Sequence, residues 1–460
     1  LRISCSFTLQ VFLIAICGSS AVQGQISQVS LNGTIRDHSG SVAPGATVAL
    51  INKGTGTSRT ATTDSSGVYI FPDVEPAEYS MTVNLQGFKT LAISSLALHT
   101  GEHATLDGTL ELGATNQEIT VDAAIPLLNT ESSDVGHLVP QSQVAEIPLN
   151  GRNFWELTQL TPGSTFIPRS QTSTYNGSEL RARNVNVAVN GTSYIFTGWA
   201  LDGANVTNFE LGGTLISPNV DAIQEFSVEA GNMAPEYGHT PSMVNASLKS
   251  GTNSFHGTLF EFLRNDALDA RNFFLPNVIP LKRNQFGGTV GGPIWKDRVF
   301  FFADYQGTRL RQGLSFNDVV PSGPERSGNF SDLLPKTAIR DPLTQSPFPG
   351  NIIPASRISS QGAFFIPYLA SPNLVQGATN RFIYAPSLPQ NNDEGDMKVD
   401  ARLTSADSLL ARYSISDSYE YNALDYPALQ GTALKSKAQD ATMRWTRIIS
   451  PSLVNAAQIG

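Results

Sequence analysis

The sequence predicts a mainly β protein in successive parts: a small sandwich, a small α+β unit, and a run of longer strands. Three observations predict it. Charged residues make up only 15% of the 460-residue chain, against about 25% in an average soluble protein. Its 39 glycines and 27 prolines argue against a helical bundle or coiled coil, while 40% hydrophobic residues exclude a wholly disordered chain. Alternation of apolar and polar residues recurs between Gly, Asp and Pro turns. The net charge of −9 provides no basic face to steer toward nucleic acid, so no nucleic-acid partner is expected. The length suits about three domains.

Residues 1–24 read as a secretory signal. Arg2 is the basic end, Leu9 to Cys17 the apolar stretch, and Ala21 and Gly24 offer small residues for cleavage before Gln25. That stretch is shorter than the roughly 20 residues a membrane-spanning helix needs. Both cysteines, Cys5 and Cys17, lie in it. The mature chain is therefore expected to be exported and to use neither disulfides nor thiolate metal sites.

Residues 28–113 carry short alternating strands at steady spacing. Val29 to Ile35 stops at Asp37-His38-Ser39-Gly40, and Ala46 to Leu50 follows Pro44-Gly45. Val68 to Phe71 follows a Thr63-Asp64-Ser65-Ser66-Gly67 turn, and Tyr79 to Val83 precedes Gly87-Phe88. This is the pattern of a small β-sandwich. Gly33, Asp37, Pro44-Gly45-Ala46, Thr63-Asp64, Gly67, Tyr69, Phe71, Tyr79 and Gly87-Phe88 resemble the carboxypeptidase regulatory-like domain, which implies a carbohydrate-binding-like (prealbumin-like) fold. Pro76-Ala77-Glu78 stands where that family has Pro-Gly. No row of exposed aromatics for stacking on sugar rings is visible.

Residues 114–255 are mixed. Gln117 to Asp122 is an extended polar and β-branched stretch. Asn153, with Glu156 three residues on, reads as a helix start, ending before Pro162-Gly163. Val185 to Val189 reads as a strand, Ala200 to Gly203 as strand into turn, and Pro218 to Ile223 as a short helix leading into Phe226 to Glu229.

From Asp221-Ala222-Ile223 through Val228, Gly231, Tyr237-Gly238 and Val244-Asn245 to Lys249-Ser250-Gly251, the chain resembles the end of a TonB-dependent receptor plug. Leu201-Asp202-Gly203 matches the plug's earlier Asp-Gly turn. Ile147 to Phe154 (Ile-Pro-Leu-Asn-Gly-Arg-Asn-Phe) is similar to the Oar-like branch, which also carries the regulatory-like domain in front. Ala230-Gly231-Asn232 and Pro241-Ser242-Met243 depart from the usual Arg-Gly-Pro and Gly-Gly. The resemblance implies that Glu118, Ile119, Thr120 and Val121 form a candidate TonB box in a 114–124 linker, with residues 125–255 as the plug. Such a box pairs as an added strand with a TonB-type periplasmic energiser; a plain linker strand is the alternative.

Residues 256–460 alternate without any family knowledge. Gln285, Gly287 and Thr289 oppose Phe286, Gly288 and Val290. Asp304, Gln306 and Thr308 oppose Ala303 and Tyr305, with Phe302 on the polar side. Lys398, Asp400 and Arg402 oppose Val399, Ala401 and Leu403, and Arg412, Ser414 and Ser416 oppose Ala411, Tyr413 and Ile415, with Leu410 the exception. Strands near 257–264, 284–292, 299–309, 398–404, 409–416, 440–447 and 453–460 leave connections that alternate long and short, as in a transmembrane antiparallel β-barrel in outer-membrane lipid. Seven strands do not close a barrel around a plug, and an open edge in lipid leaves backbone groups unpaired. The family it resembles builds about 22. With Leu1 in place of Met and a last strand that runs to Gly460, the chain reads as the N-terminal part of a longer, Gram-negative-type outer-membrane protein.

Enzyme signatures are missing: no Gly-x-Ser-x-Gly, no His-Glu-x-x-His and no Walker loop occur. His99 and His103 do not share a helical face, so no metal site is expected. Asp393-Glu394-Gly395-Asp396 lacks EF-hand spacing and reads as a solvated loop. The expected function is a TonB-dependent transporter taking up a large or scarce solute, with carbohydrate and peptide as candidate classes and no cofactor. The alternative is a surface adhesin or structural protein that transports nothing.

Overall fold

The computed structural model describes residues 29–113, 118–121, 128–129, 135–149, 151–167, 186–208, 212–214, 216–231, 240–271, 273, 278–313, 316–376, 379–384, 386–422, 431–450 and 453–460. The expected leader at 1–24, with both cysteines, lies outside the described residues, as do Tyr237 and Gly238.

The first unit comprises β1 (Val29–Asp37), β2 (Thr47–Asn52), β3 (Ser58–Thr62), β4 (Val68–Val74), β5 (Ala77–Asn84), β6 (Thr90–Leu98), β7 (His103–Thr105) and β8 (Gly108–Leu110). Two later segments, β9 (Glu118–Val121) and β10 (Leu128–Asn129), join it. One sheet runs β4-β1-β7-β10 with β8 also on β1; the other runs β3-β2-β5-β6-β9. Alternation puts Leu31, Ile35, Val48, Leu50, Tyr69, Phe71, Met81 and Val83 into one core between them. Gly33 is required by a close approach: a Cβ there would lie 1.9 Å from the Leu106 carbonyl oxygen. That carbonyl accepts the Tyr69 hydroxyl at 2.7 Å.

The central unit contains β11 (Val135–Pro140), β12 (Ser164–Ile167), β13 (Asn186–Val189), β14 (Thr197–Leu201), β15 (Ala204–Asn205), β16 (Ile223–Ala230) and β17 (Ser242–Leu248). Its main sheet is β11-β16-β17-β14-β15, with β12-β13 a separate pair. The helix expected from Asn153 is a 3-10 helix, Phe154–Leu160, in which the Asn153 side chain accepts the Trp155 N–H. It buries Phe154 and Trp155, and Trp155 meets Trp199 edge-on at 4.8 Å between ring centres. Such aromatic pairs contribute about 0.5–1.5 kcal/mol beyond their buried area.

The third unit is a meander of seven antiparallel strands: β18 (His256–Asn265), β19 (Leu281–Trp295), β20 (Val299–Gly313), β24 (Ser387–Arg402), β25 (Asp407–Asn422), β26 (Thr432–Ser450) and β27 (Leu453–Ile459). Between β20 and β24 the long connection forms its own small sheet from β21 (Phe316–Val319), β22 (Leu374–Gln376) and β23 (Thr379–Tyr384). β18 and β27 are the outer strands, and the sheet is open.

The reading of Asp393 to Asp396 as a solvated loop is wrong, and so is a strand start at Lys398. These residues lie inside β24, paired on one side with Asp304 to Gly307 and on the other with Ser414 to Asp417. Four charged or small residues look like a loop only if the strand's inner face is assumed apolar. Here that face is polar: Asp304, Gln306, Glu394, Asp396, Lys398, Asp400 and Arg412 are all buried, while Leu259, Val290, Met397, Leu403, Tyr413, Met443 and Trp445 on the other side are exposed. A soluble sheet shows the reverse. Polar residues inside and apolar residues outside are what a lipid-facing wall requires.

Candidate functional site

The plug-like residues converge at one end of the central sheet. Asp202 (φ 48°) and Gly203 (φ 76°) both have positive φ, as a two-residue hairpin between β14 and β15 demands. β14 lies parallel to β17, pairing Leu201 with Ala246, and β16 pairs Ile223 with Leu248. The Asp202 N–H donates to the Ala246 carbonyl at 2.9 Å, and the Lys249 N–H to the Ala222 carbonyl at 2.8 Å. Residues 201–203 and 221–223 thus flank the same end of β17. Asn245 sits within it, donating from Nδ2 to Glu229 Oε1 at 2.9 Å. Asp221 pairs with Arg152 at 2.5 Å, whose guanidinium lies 4.7 Å and 4.2 Å from the Phe260 and Phe262 ring centres of β18.

Asp202 is also where the central unit meets the wall. Its Oδ1 accepts Lys398 Nζ at 3.0 Å and the Leu248 N–H at 3.2 Å. Its Oδ2 is 3.4 Å from Arg412 Nε. Arg412 also donates to the Leu201 carbonyl at 3.2 Å and pairs with Asp440 at 2.5 Å. The side chains of Asp202, Lys398 and Arg412 are 3%, 6% and 0% exposed, so the charges depend on one another rather than on water.

The sandwich is tied to both other units. Arg444 of β26 reaches Asp73 Oδ1 at 3.2 Å with one nitrogen and the Asp202 carbonyl at 3.2 Å with the other. Thr446 donates to the second Asp73 oxygen. Glu225 of β16 accepts the Thr100 N–H at 2.5 Å and the Thr100 hydroxyl at 2.8 Å, and its other oxygen is 2.8 Å from His99 Nδ1. The hydrogen bond to Glu225 holds the His99 pKa above its ordinary value, against partial burial. Asn253 donates to the Thr55 carbonyl at 2.6 Å. A cavity of about 530 Å³, lined by residues of all three units including Asp73, Asp202, Asp400 and Arg444, lies between them.

His99 and His103 have different partners: His99 Nδ1 lies against Glu225, and His103 Nδ1 is 2.9 Å from the Ser30 hydroxyl. The segment Glu118–Val121 forms β9 on the edge of the sandwich, parallel to β6. Sequence reasoning misses Asp73, Glu225, Lys398, Arg412 and Arg444 as site residues. For the last three, the only signal is a basic side chain in the polar register of a long strand.

Residues 247–460 match the family model of an outer membrane beta barrel domain, and residues 30–111 that of the carboxypeptidase regulatory-like domain. Over 285 residues the chain is 27% identical to the TonB-dependent transporter Oar of Myxococcus xanthus, covering 56% of this chain and 25% of that protein. The chain thus spans about a quarter of the length of this curated relative. Among solved structures, a mutant of the ferric enterobactin receptor PfeA from Pseudomonas aeruginosa aligns at 13% identity over 68% of this chain and 38% of that one, TM-score 0.40. The siderophore receptor PirA from Acinetobacter baumannii aligns at 14% identity over 68% and 44%, TM-score 0.33. A catechol 1,2-dioxygenase from Acinetobacter sp. ADP1 aligns at 16% identity over 23% of this chain and 60% of that one, TM-score 0.17. With its inside-out wall and these domain matches, the chain is an outer-membrane protein homologous to the TonB-dependent transporter Oar, carrying a carboxypeptidase regulatory-like domain ahead of an outer membrane β-barrel domain.

Proposed function

We propose that this chain serves solute uptake across the outer membrane, driven from the periplasm, and that it is not an enzyme. In this reading residues 125–255 act as a plug, and Glu118 to Val121 form the segment that a TonB-type energiser takes as a paired strand. One observation supports it above others: a folded unit sits against the polar inner face of a lipid-facing wall, held there by Asp202 between Lys398 and Arg412. A wall residue pair of this kind fastens an insert while leaving its backbone fold intact. The solute would meet the external side of the wall and the insert, and a pull on residues 118–121 would rearrange the insert to open a path.

The test is genetic, because the solute is unidentified. A deletion strain is grown on panels of sole carbon, nitrogen and iron sources to find a growth defect, then complemented with the wild-type gene or with Ile119→Pro. Uptake coupled through residues 118–121 predicts that Ile119→Pro behaves like the deletion at equal surface abundance. Full complementation would favour an adhesin or structural protein instead.

A further inference from the structure

The outer face of the wall changes character along its height. The short turns at 296–298 and 403–406 mark the periplasmic end, because outer-membrane barrels keep their long loops outside. From that end β20 presents Val299, Phe301, Ala303 and Tyr305 outward, then Gly307, Arg309 and Arg311. The ten steps from Val299 to Arg309 are about 34 Å of strand, or about 26 Å of height at a tilt near 40°. An outer-membrane wall has an apolar band of about 25 Å. Arg309 and Arg311 therefore stand at its external margin, where hydrocarbon gives way to lipid headgroups.

At that margin Lys282 of β19 lies directly opposite Arg311 of β20, one pair beyond Asn284 and Arg309. Arg309 is already neutralised: Asp393 takes it at 2.8 Å and also accepts the Tyr305 hydroxyl at 2.6 Å. Arg311 donates through Nη1 to the Leu310 carbonyl at 2.8 Å and to Asn391 Oδ1 at 2.9 Å. Among the described residues neither Arg311 nor the exposed Lys282 has an acidic partner. Glu261 shares this face but stands beside Phe286, four residues along β19 from Lys282, or about 14 Å. Like charges directly opposite one another destabilise a sheet, and a shared anion removes that cost.

On the periplasmic side of the pair, the register sets Gly288 between Leu259 and Tyr305, so the centre of this face carries no side chain. A groove of about 860 Å³ runs there, lined on the outer face by Leu259, Phe286, Gly288, Val290, Ala303 and Tyr305. The Arg309 guanidinium, 5.7 Å from the Phe286 ring centre, closes its upper rim.

We infer that Lys282, Arg311 and this groove form a binding site for a phosphorylated, acylated glycolipid of the outer leaflet. Its phosphate sits between the two cations, and one acyl chain runs down the groove toward the periplasm. The guanidinium can offer a planar fork to two phosphate oxygens and the ammonium a compact charge beside it. A free phosphate has no use for the groove, and a zwitterionic phospholipid brings an ammonium of its own against the pair. The lipid would brace β18, β19 and β20 from outside, on the strands whose inner side meets Arg152 of the central unit through Phe260 and Phe262. This holds whether or not the protein transports a solute.

Native mass spectrometry of the full chain, purified in detergent and stripped of lipid, tests the site. The probes are bisphosphorylated lipid A, phosphatidylethanolamine and inorganic phosphate. The wild type should bind lipid A about tenfold or more tightly than phosphatidylethanolamine, and Lys282→Gln/Arg311→Gln should erase that preference. Ala303→Phe, which fills the groove and leaves both charges, should also weaken lipid A while leaving phosphatidylethanolamine as it was. Equal binding of the two lipids by the wild type would overturn the inference, as would a double variant that holds lipid A within about threefold of wild type. Displacement of lipid A by excess inorganic phosphate, with Ala303→Phe behaving as wild type, would overturn it in favour of a simple anion site. The wild-type preference and Ala303→Phe are read independently of the double variant, so the test survives if that variant fails to fold.

Discussion

Substituting Asp202 by Asn keeps the shape of the hairpin turn and removes its charge. Lys398 and Arg412 then remain buried with their shared anion gone. Removing one partner of a buried ion pair costs about 3–5 kcal/mol. Two contacts soften the loss, since Arg412 keeps Asp440 at 2.5 Å and Lys398 keeps the Leu248 carbonyl at 3.1 Å. The lower end applies, about 3 kcal/mol, or roughly a hundredfold in the equilibrium between docked and released central unit. Amide hydrogen exchange at β14 and β17 reads it directly: in detergent-held protein these strands should exchange about a hundredfold faster in Asp202→Asn than in wild type. Exchange within about threefold of wild type (under about 0.7 kcal/mol) would show that the fastening does not depend on this charge cluster.

Three further outcomes follow from the same geometry. His99 should titrate above its ordinary value of 6.5, and Glu225→Gln should bring it back toward that value by NMR. Because its folded pKa is raised, the contribution of the His99–Glu225 contact is complete below about 6.5 and lost as pH rises through the raised value. Trp155→Ala, removing a fully buried ring that packs on Trp199, should cost about 3–5 kcal/mol in denaturant unfolding of the central unit. Gly33→Ala should destabilise the sandwich by about 1–3 kcal/mol in the same assay, since its Cβ would be forced against the Leu106 carbonyl.

Local pattern made most of the strands legible. Val29 to Ile35, Val68 to Phe71, and the wall strands around 284–292 and 409–416 all carry period-two alternation, and the structure places β-strands there. The short helix read over Pro218 to Ile223 was also visible; the structure makes it a 3-10 helix over Val220–Ala222 and adds a side-chain cap from Asn219. Strand limits on the wall were not legible. A polar inner face lets Asn391 to Asp396 continue a strand that looks finished when only hydrophobic alternation is counted. The fastening points were also hidden, for a different reason. Asp202 and Lys398 are 196 positions apart, and Arg444 and Asp73 are 371 apart. Nothing local in the sequence marks such partners. Sequence could give Asp202 its turn, but only the packed chain gives it two cations.

Phe302 carries a consequence for how the protein is assembled. It belongs to a wall strand, yet it is completely buried within the hydrophobic cluster of the central unit, with Trp155, Phe226 and Val244. That cluster therefore stays one aromatic ring short until β20 is laid against it. The insert finishes forming its own interior only when the wall arrives, so the two are expected to mature together rather than one after the other. A chimera that exchanged the insert for a homologous one would have to bring a matched residue at position 302 with it, although that residue lies outside the exchanged segment.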